Sequence, residues 1–266
     1  MSNIFKTYSL PEGTELSFTD SGAPLNSDDY TTVLIIHGSA FNAYQFHKLH
    51  LFGQALNLRT VLFHRRNYVG STPYTSAEVQ EIEQGSQTFW ERLSAQLAQF
   101  LKIFIEQEQI PKLKMKLSSS MSGGIAIMGW SAGCQMIFSI FGAAHNPMIA
   151  NEEYALLQQY IGKFMLYDPP HVAFGYPVPF DNKNYVPWED TSLKPEDIPV
   201  AFSEWVSSYY DHPCYDFATR SLPSSATIHD LNGIPKKTRR TSVYDWSEED
   251  KAKGIEMEAM KSEVLT

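Results

Sequence analysis

The stretch Ile125–Phe138, "IAIMGWSAGCQMIF", places a serine between two glycines, where one apolar segment ends and another begins. A nucleophilic serine has to be held clear of the backbone on a sharp turn from a strand to a helix, and the residues that flank it have to be small. Gly129 and Gly133, each two residues from Ser131, meet this requirement. The stretch therefore predicts a nucleophile elbow with Ser131 at its tip.

Backbone amides around this serine are expected to stabilise negative charge on an oxygen. The helix after the elbow directs its N-terminal N–H groups toward the site, so the N–H of Ala132 is one predicted oxyanion donor. The second is expected from "LIIHGSAFNA", where Gly38 ends a buried strand and lets the backbone turn toward the serine. Either the N–H of Ser39 or that of Ala40 completes the predicted oxyanion hole.

Five apolar runs predict strands, and most of them are apolar on both faces, as in a parallel sheet buried between two helical layers. Two helices are predicted at Asn42–Leu56 and Gln84–Gln107, the second closed by Pro111. Strands separated by helices of this length indicate βαβ units, so the predicted class is α/β, with a mostly parallel, doubly wound sheet. The predicted strands are Glu15–Gly22, Thr31–Gly38, Arg59–His64, Gly124–Trp130 and Gly162–Asp168.

Composition excludes several classes of protein. The chain has 266 residues and a formal net charge of -9, which argues against nucleic acid as a partner. Two cysteines, Cys134 and Cys214, are too few for a disulfide framework or a common zinc site, and no cofactor or metal motif is present. Since there is no secretory signal and no apolar run long enough to span a membrane, a cytoplasmic protein with a small-molecule substrate is predicted. The oligomeric state stays open.

The chain changes character after Pro170. Prolines and aromatic residues become frequent and no clean strand follows, so residues 1–170 are predicted to form the core and residues 171–266 an irregular or helical cap. Ser247 and Asp250 form a capping box for a final helix; a disordered tail is the alternative. The aromatic residues of the cap predict a mainly apolar acyl substrate, although they are equally suited to form the core of the cap: Phe174, Tyr176, Phe180, Tyr185 and Trp188.

Together these segments resemble the α/β-hydrolase superfamily, of the AB hydrolase-1 type. The matching pieces are "VLIIHGSAFNAYQF", "TVLFHRRNYVGSTPY", "IAIMGWSAG" and "FMLYDPP", within about residues 15–175, and "RRNYVGSTPYT" and "YDPP" are most similar to a fungal branch. The resemblance implies hydrolysis of an ester, thioester, lactone or amide through an acyl-serine intermediate. It also implies a triad in the order serine, acid, histidine.

The rest of the triad is harder to locate. The resemblance implies two further strands, bearing the acid and the histidine, which do not appear before Thr266, so the fold is expected to be incomplete at its C-terminal end. Asp168 ends a predicted strand and is a candidate acid, although the favoured interpretation is that it turns the backbone into the two prolines that follow. Candidate bases follow it without a strand-like run before them: His171, His212 and His229.

Three residues near the predicted loops are candidates for binding substrate: His37, Trp130 and Tyr68. His37 is expected to order the oxyanion loop rather than to act as a base. Arg65 and Arg66 either bind a substrate acid group or pair with local acids. Two functions stay open: a serine hydrolase, or a hydrolase-like protein with an incomplete triad and a binding or scaffold role.

Overall fold

A six-stranded sheet forms the centre of the first of two compact units into which the chain divides. The first unit comprises Met1–Tyr176 and Gly254–Thr266, and the second comprises Pro177–Lys253. The computed structural model describes residues 4–115, 121–141, 145–175, 185–231, 233, 235–236, 239–260 and 262–263. The predicted division at residues 170 and 171 stays a prediction.

The sheet has the order β1-β2-β4-β3-β7-β8. Strands β4, β3, β7 and β8 run parallel to one another, and β2 is antiparallel to both of its neighbours. The predicted α/β class with a mostly parallel sheet is therefore confirmed. A separate two-stranded sheet is formed by β5 and β6. The strands are β1 Ile4–Ser9, β2 Glu15–Asp20, β3 Thr31–Ile36, β4 Leu58–His64, β5 Lys114–Met115, β6 Met121–Ser122, β7 Ile125–Trp130 and β8 Ile161–Tyr167.

Helices connect and follow these strands. The α-helices are α1 His50–Gly53, α2 Ser76–Glu83, α3 Gln87–Gln107, α4 Gly133–Phe141, α5 Asn151–Leu157, α6 Ile198–Val206, α7 Glu248–Gly254 and α8 Met257–Met260. The 3-10 helices are Ala43–Leu49, Gln54–Leu56, His171–Phe174, Pro187–Glu189, Ile228–Asp230 and Ser242–Asp245. None of the helices among the described residues is both long and apolar enough to cross a membrane.

The two faces of the sheet pack against different helices because side chains alternate along a strand. On one face, Leu34 and Ile36 of β3 join a large apolar core with residues of α3 and α4. On the other face, Ile35 contacts a smaller cluster that includes Ala43 of the helical turn after β3. Both faces of β3 are thus covered, as its doubly apolar sequence predicts.

Helix α3 confirms the predicted amphipathic segment but begins later than expected. Gly85, with φ +63°, separates it from α2, which the sequence analysis missed. Thr75 and Glu78 form a complete capping box at the start of α2. The predicted helix Asn42–Leu56 is instead a chain of 3-10 and α turns, in which the Asn42 side chain accepts a hydrogen bond from the N–H of Tyr44.

The second unit holds an aromatic cluster and a capped helix. The ring centroid of Trp188 lies 5.9 Å from that of Phe202 and 5.6 Å from that of Trp205. The Oγ of Ser247 accepts the N–H of Asp250 and donates to Oδ2 of Asp250, and the first of these bonds is one of the two that define the predicted capping box at the start of α7. Two of the aromatic residues assigned to the cap, Tyr176 and Phe180, lie outside the described residues.

Replacing Phe100 of α3 with alanine should lower the free energy of unfolding by about 3–5 kcal/mol, because the truncation leaves a cavity in the main core. The Phe100 side chain is fully buried, with its ring centroid 4.9 Å from that of Phe63. Urea unfolding measures the change. Phe52→Ala is the matched control, since Phe52 is 58% exposed, and equal losses for the two variants would contradict this packing.

Candidate active site

Ser131 lies directly after β7 in a strained backbone conformation. Its φ is +50°, a left-handed value that a non-glycine residue rarely adopts outside turns and functional sites. Its N–H donates to the carbonyl of Tyr167 at 3.0 Å, and its own carbonyl accepts from the N–H of Cys134 at 2.9 Å. Strand β7 ends at Trp130 and α4 begins at Gly133, so the partly exposed Ser131 occupies the tip of a sharp strand-to-helix turn.

The two flanking glycines have no room for a side chain. A Cβ atom on Gly129 would lie 2.7 Å from the carbonyl oxygen of Gly133 and 2.8 Å from Cα of Cys134. A Cβ atom on Gly133 would overlap the carbonyl oxygen of Ile36 and lie 2.7 Å from that of His37. The turn is therefore possible only because both residues are glycine, as the need for small residues beside the serine predicts.

The loop after β3 packs directly on the elbow. A Cβ atom on Gly38 would lie 3.0 Å from Cβ of Ser131 and 3.1 Å from Cε3 of Trp130. Trp130 is partly exposed, and its ring meets that of Phe46 edge to face with centroids 5.9 Å apart. The predicted oxyanion loop and the predicted nucleophile are thus neighbours.

Left-handed residues recur at this edge of the sheet. Four adjacent parallel strands are each followed by a non-glycine residue with positive φ: Asn67 after β4, Ala40 after β3, Ser131 after β7 and Asp168 after β8. Ligand sites of parallel α/β sheets lie at the carboxyl ends of the strands, and backbone strain clusters at such sites. This edge of the sheet is therefore the candidate location of the functional site.

The backbone N–H groups of the oxyanion loop differ in whether they already donate a hydrogen bond within the protein. The N–H of Ala40 donates to Oη of Tyr68 at 3.0 Å and is buried, so it is already used. Among the described residues, no partner is found for the N–H of Ser39 or for that of Ala132. The carbonyl of Gly38 accepts from Arg65 at 3.0 Å, and in a trans peptide the following N–H points the opposite way. Of the two alternatives left open by the sequence, Ser39 has the free donor.

His37 is fully buried and is held on both sides of its ring. Its Nδ1 lies 2.8 Å from the carbonyl oxygen of Gly38, and its Nε2 lies 3.1 Å from the N–H of Arg65, whose proton it accepts. Burial and the positive charge of Arg65 hold the pKa of His37 well below its ordinary value. The neutral ring orders the oxyanion loop; its contact with a substrate stays a prediction, and neither nitrogen is free for one in this structure.

Tyr68 and the two arginines contact buried carboxylates. The Tyr68 side chain is 1% exposed, and its hydroxyl donates to Oε2 of Glu263 at 3.0 Å. Arg65 pairs with Glu263, and Arg66 pairs with Glu78. Local pairing, one of the two roles left open for these arginines, is therefore confirmed. Glu263 lies 198 positions from Arg65, and no pattern in the sequence connects the two.

Asp168 follows β8 at the position next to the elbow. Trp130 and Tyr167 are register partners, so Ser131 and Asp168 continue from neighbouring positions on adjacent strands. Asp168 has φ +49° and an exposed side chain. Burial, with a smaller contribution from the charge of Asp168, raises the pKa of the Cys134 thiol to about 11. Among the described residues, no hydrogen bond joins Asp168 to Ser131.

No histidine is hydrogen-bonded to the Ser131 hydroxyl among the described residues. His64 is buried beside His37, with ring centroids 6.2 Å apart, and its Nδ1 has no partner in the described part of the chain. The side chain of His171 lies outside the described residues, and His212 and His229 belong to the second unit. The identity of the base stays a prediction. Within the described ranges, no group of three or more His, Cys, Asp or Glu side chains is placed to hold a metal ion.

Comparison with known proteins gives likeness of fold only. No protein-family model matches the chain, and no curated protein matches it. Similar solved structures include an esterase from Exiguobacterium antarcticum, at 16% identity and a TM-score of 0.46, covering 79% of this chain and 63% of that one. The thioesterase domain from the curacin biosynthetic pathway has 14% identity and a TM-score of 0.42, covering 68% of this chain and 50% of that one.

A further similar structure belongs to the epoxide hydrolases of the α/β-hydrolase superfamily found in metagenomes from hot environments. It has 16% identity and a TM-score of 0.38, and the match covers 64% of this chain and 43% of that one. The chain spans less than two thirds of the length of these structures. At such identities and scores, the likenesses assign no activity to this chain.

The free energy of unfolding should fall as the pH decreases from 7 to 5. Burial lowers the pKa of His64 from 6.5 to about 4, so between these values the unfolded state binds more protons than the folded state. For His64 alone, the expected loss is about 2 kcal/mol. Urea unfolding at both pH values should show a loss smaller by about this amount in His64→Gln. Equal losses in wild type and variant would contradict a buried neutral His64.

Proposed function

We propose that the chain is a serine hydrolase of the α/β-hydrolase superfamily, acting on an ester, thioester, lactone or amide. The observation that carries the proposal is the left-handed Ser131, held at a strand-to-helix turn by two glycines without room for Cβ. A turn of this kind presents a serine hydroxyl at the top of a parallel sheet, beside the first N–H groups of a helix. The Ser131 side chain is partly exposed, as that of a nucleophile has to be.

The proposed reaction begins with attack of Oγ of Ser131 on the carbonyl carbon of the substrate. The new C–O bond moves the carbonyl electron pair onto oxygen, and the resulting oxyanion accepts hydrogen bonds from the N–H groups of Ser39 and Ala132. Collapse of the intermediate expels the alcohol, thiol or amine and leaves an acyl-serine. Water then releases the acid and restores the hydroxyl. A general base has to accept the serine proton in the first step.

Asp168 is the acid that we assign to this site. Its support is positional, since it continues β8 at the place where Ser131 continues β7, and it is held in a left-handed conformation as Ser131 is. In this assignment the carboxylate orients the base rather than attacking the substrate. Trp130, partly exposed beside Gly38, is the proposed contact for the acyl group.

A mainly apolar acyl group fits the surroundings of the elbow best. In the first unit, Phe174 is 50% exposed, and its ring centroid lies 5.1 Å from that of Phe138 on α4. Trp130 and Phe46 add a second aromatic pair next to Gly38. Aromatic and aliphatic surface of this kind favours substrates whose acyl portion is apolar.

The second candidate is a hydrolase-like protein that binds a ligand without turning it over. The observation that favours it is the Ser131 hydroxyl itself, which has no histidine partner among the described residues. A serine without a base is a poor nucleophile. This candidate and the first make opposite predictions for covalent labelling.

Wild-type protein should react covalently with a fluorophosphonate probe, and Ser131→Ala should not. The probe forms a stable phosphonate ester only with an activated serine, because the leaving fluoride requires an attacking oxygen whose proton has been taken up by a base. Labelling is followed by in-gel fluorescence and by intact mass. Ser139→Ala is the matched control: Ser139 lies on α4, the helix that follows the elbow, its hydroxyl donates to the carbonyl of Met136, and its loss should leave labelling unchanged.

Three results would each have a definite meaning. Labelling lost only in Ser131→Ala supports the hydrolase. Folded wild type that stays unlabelled contradicts the hydrolase and favours the ligand-binding candidate. Labelling that persists in Ser131→Ala would place the reactive residue elsewhere and contradict the assignment of the elbow.

A further inference from the structure

The oxyanion loop is attached to a segment more than 200 residues away in the sequence. The N–H of Asn42 donates to the carbonyl of Gly254 at 3.0 Å, and the N–H of Glu256 donates to the carbonyl of Ala40 at 2.7 Å. Phe41 and Ile255 form an antiparallel bridge between these two contacts. The loop is therefore paired with the short segment Gly254–Glu256.

A second set of contacts joins the loop to one carboxylate. Tyr68 Oη accepts the N–H of Ala40 at 3.0 Å and donates to Oε2 of Glu263 at 3.0 Å. Arg65 Nη2 donates to the carbonyl of Gly38 at 3.0 Å and also to Oε1 of Glu263. Glu263, Tyr68 and Arg65, called the Glu263 cluster below, thus contact the loop at Gly38 and at Ala40, the residues on either side of Ser39.

The loop needs such support because it is strained. Ala40 has φ +63°, and the N–H of Phe41 donates to the carbonyl of Ser39 at 2.7 Å, which closes a three-residue turn around Ala40. Turns of this type with positive φ are rare, and they persist only where the surroundings over-determine them. Hydrogen bonds of the Glu263 cluster are strengthened by burial, since the side chains of Arg65 and Glu263 are 8% and 13% exposed.

We propose that Glu263 is a positioning residue for the oxyanion hole. Acting through Tyr68 and Arg65, it fixes the peptide groups on both sides of Ser39 and so directs the Ser39 N–H toward the oxygen that develops next to Ser131. This role rests on the proposed serine hydrolase. Glu263 does not touch the reacting atoms, so its removal should slow the chemical step without changing how the probe binds.

The kinetic arm of the test uses the fluorophosphonate probe on the full chain. In Tyr68→Phe and Glu263→Ala, the maximal labelling rate constant should fall about 10- to 100-fold. This decrease is no larger than the decrease in rate expected when one oxyanion donor is removed. The probe concentration at half-maximal rate should change by less than about threefold, and labelling should still go to completion. Glu263→Gln keeps an acceptor oxygen and should recover part of the rate. Glu12→Gln, at an exposed carboxylate, is the control.

Residue-resolved hydrogen exchange forms the second arm, which needs no catalysis. The Ala40 N–H should be protected in wild type and should exchange at least about tenfold faster in Tyr68→Phe and Glu263→Ala, because local opening exposes it. Amides of β3 should keep their protection in both variants, which separates a local change from general unfolding. Tyr68→Phe removes only the hydroxyl, so it tests the contact even where Glu263→Ala folds poorly.

The two arms separate the failure of this inference from failure of the proposed function. The positioning role is overturned if wild type labels and the variants label with the wild-type rate constant. It is also overturned if the variants differ from wild type only in the fraction of protein that becomes labelled. Wild type that does not label overturns the hydrolase and, with it, the role of Glu263 in an oxyanion hole. Where wild type labels, faster exchange confined to the oxyanion loop supports the positioning role, and unchanged exchange of Ala40 overturns it.

Discussion

The contact between Gly133 and the backbone at the end of β3 is the constraint on which the rest of the site depends. The turn at Ser131 brings α4 so close to the carbonyls of Ile36 and His37 that only glycine fits. A side chain at Gly129 would clash with the first residues of the same helix, and the absence of one at Gly38 lets the oxyanion loop pack against Ser131. Two strand ends and one helix start are thereby packed into contact, and the strain of a left-handed serine is the consequence.

Around this contact, burial and charge keep the oxyanion loop in one arrangement. His37 is neutral. Its Nδ1 contacts the carbonyl oxygen of Gly38 in the loop, and its Nε2 accepts a hydrogen bond from the N–H of Arg65. Burying the Arg65 guanidinium without a partner would cost desolvation free energy, which the ion pair with Glu263 offsets. Glu263 also accepts a hydrogen bond from the Tyr68 hydroxyl. The loop is therefore organised by the fold itself, which is the condition that the proposed oxyanion hole requires.

The sequence predicted best those features that depend on residues close together in the chain. Apolar runs located the four parallel strands, and the spacing of Gly129, Ser131 and Gly133 placed the turn, although a side chain at Gly133 is excluded by the carbonyls of Ile36 and His37, which lie outside the motif. Strand β1 was missed, since its alternating polar residues include Lys6, which is paired with Asp20 and Glu108. The role of Glu263 was missed because its partners are about 195 positions away. Which amide of the loop is free depends on a distant tyrosine hydroxyl, so the sequence left two alternatives open.

A crystal structure of the protein with Ser131 phosphonylated by a fluorophosphonate tests the central claim most directly. The phosphonyl oxygen stands in for the oxyanion of the tetrahedral intermediate. The account predicts that this oxygen lies about 2.7–3.1 Å from the amide nitrogens of both Ser39 and Ala132, with the Ala40 amide still bonded to Tyr68. A phosphonyl oxygen directed away from these two amides, or bound by the Ala40 amide after the Tyr68 contact has broken, would contradict it.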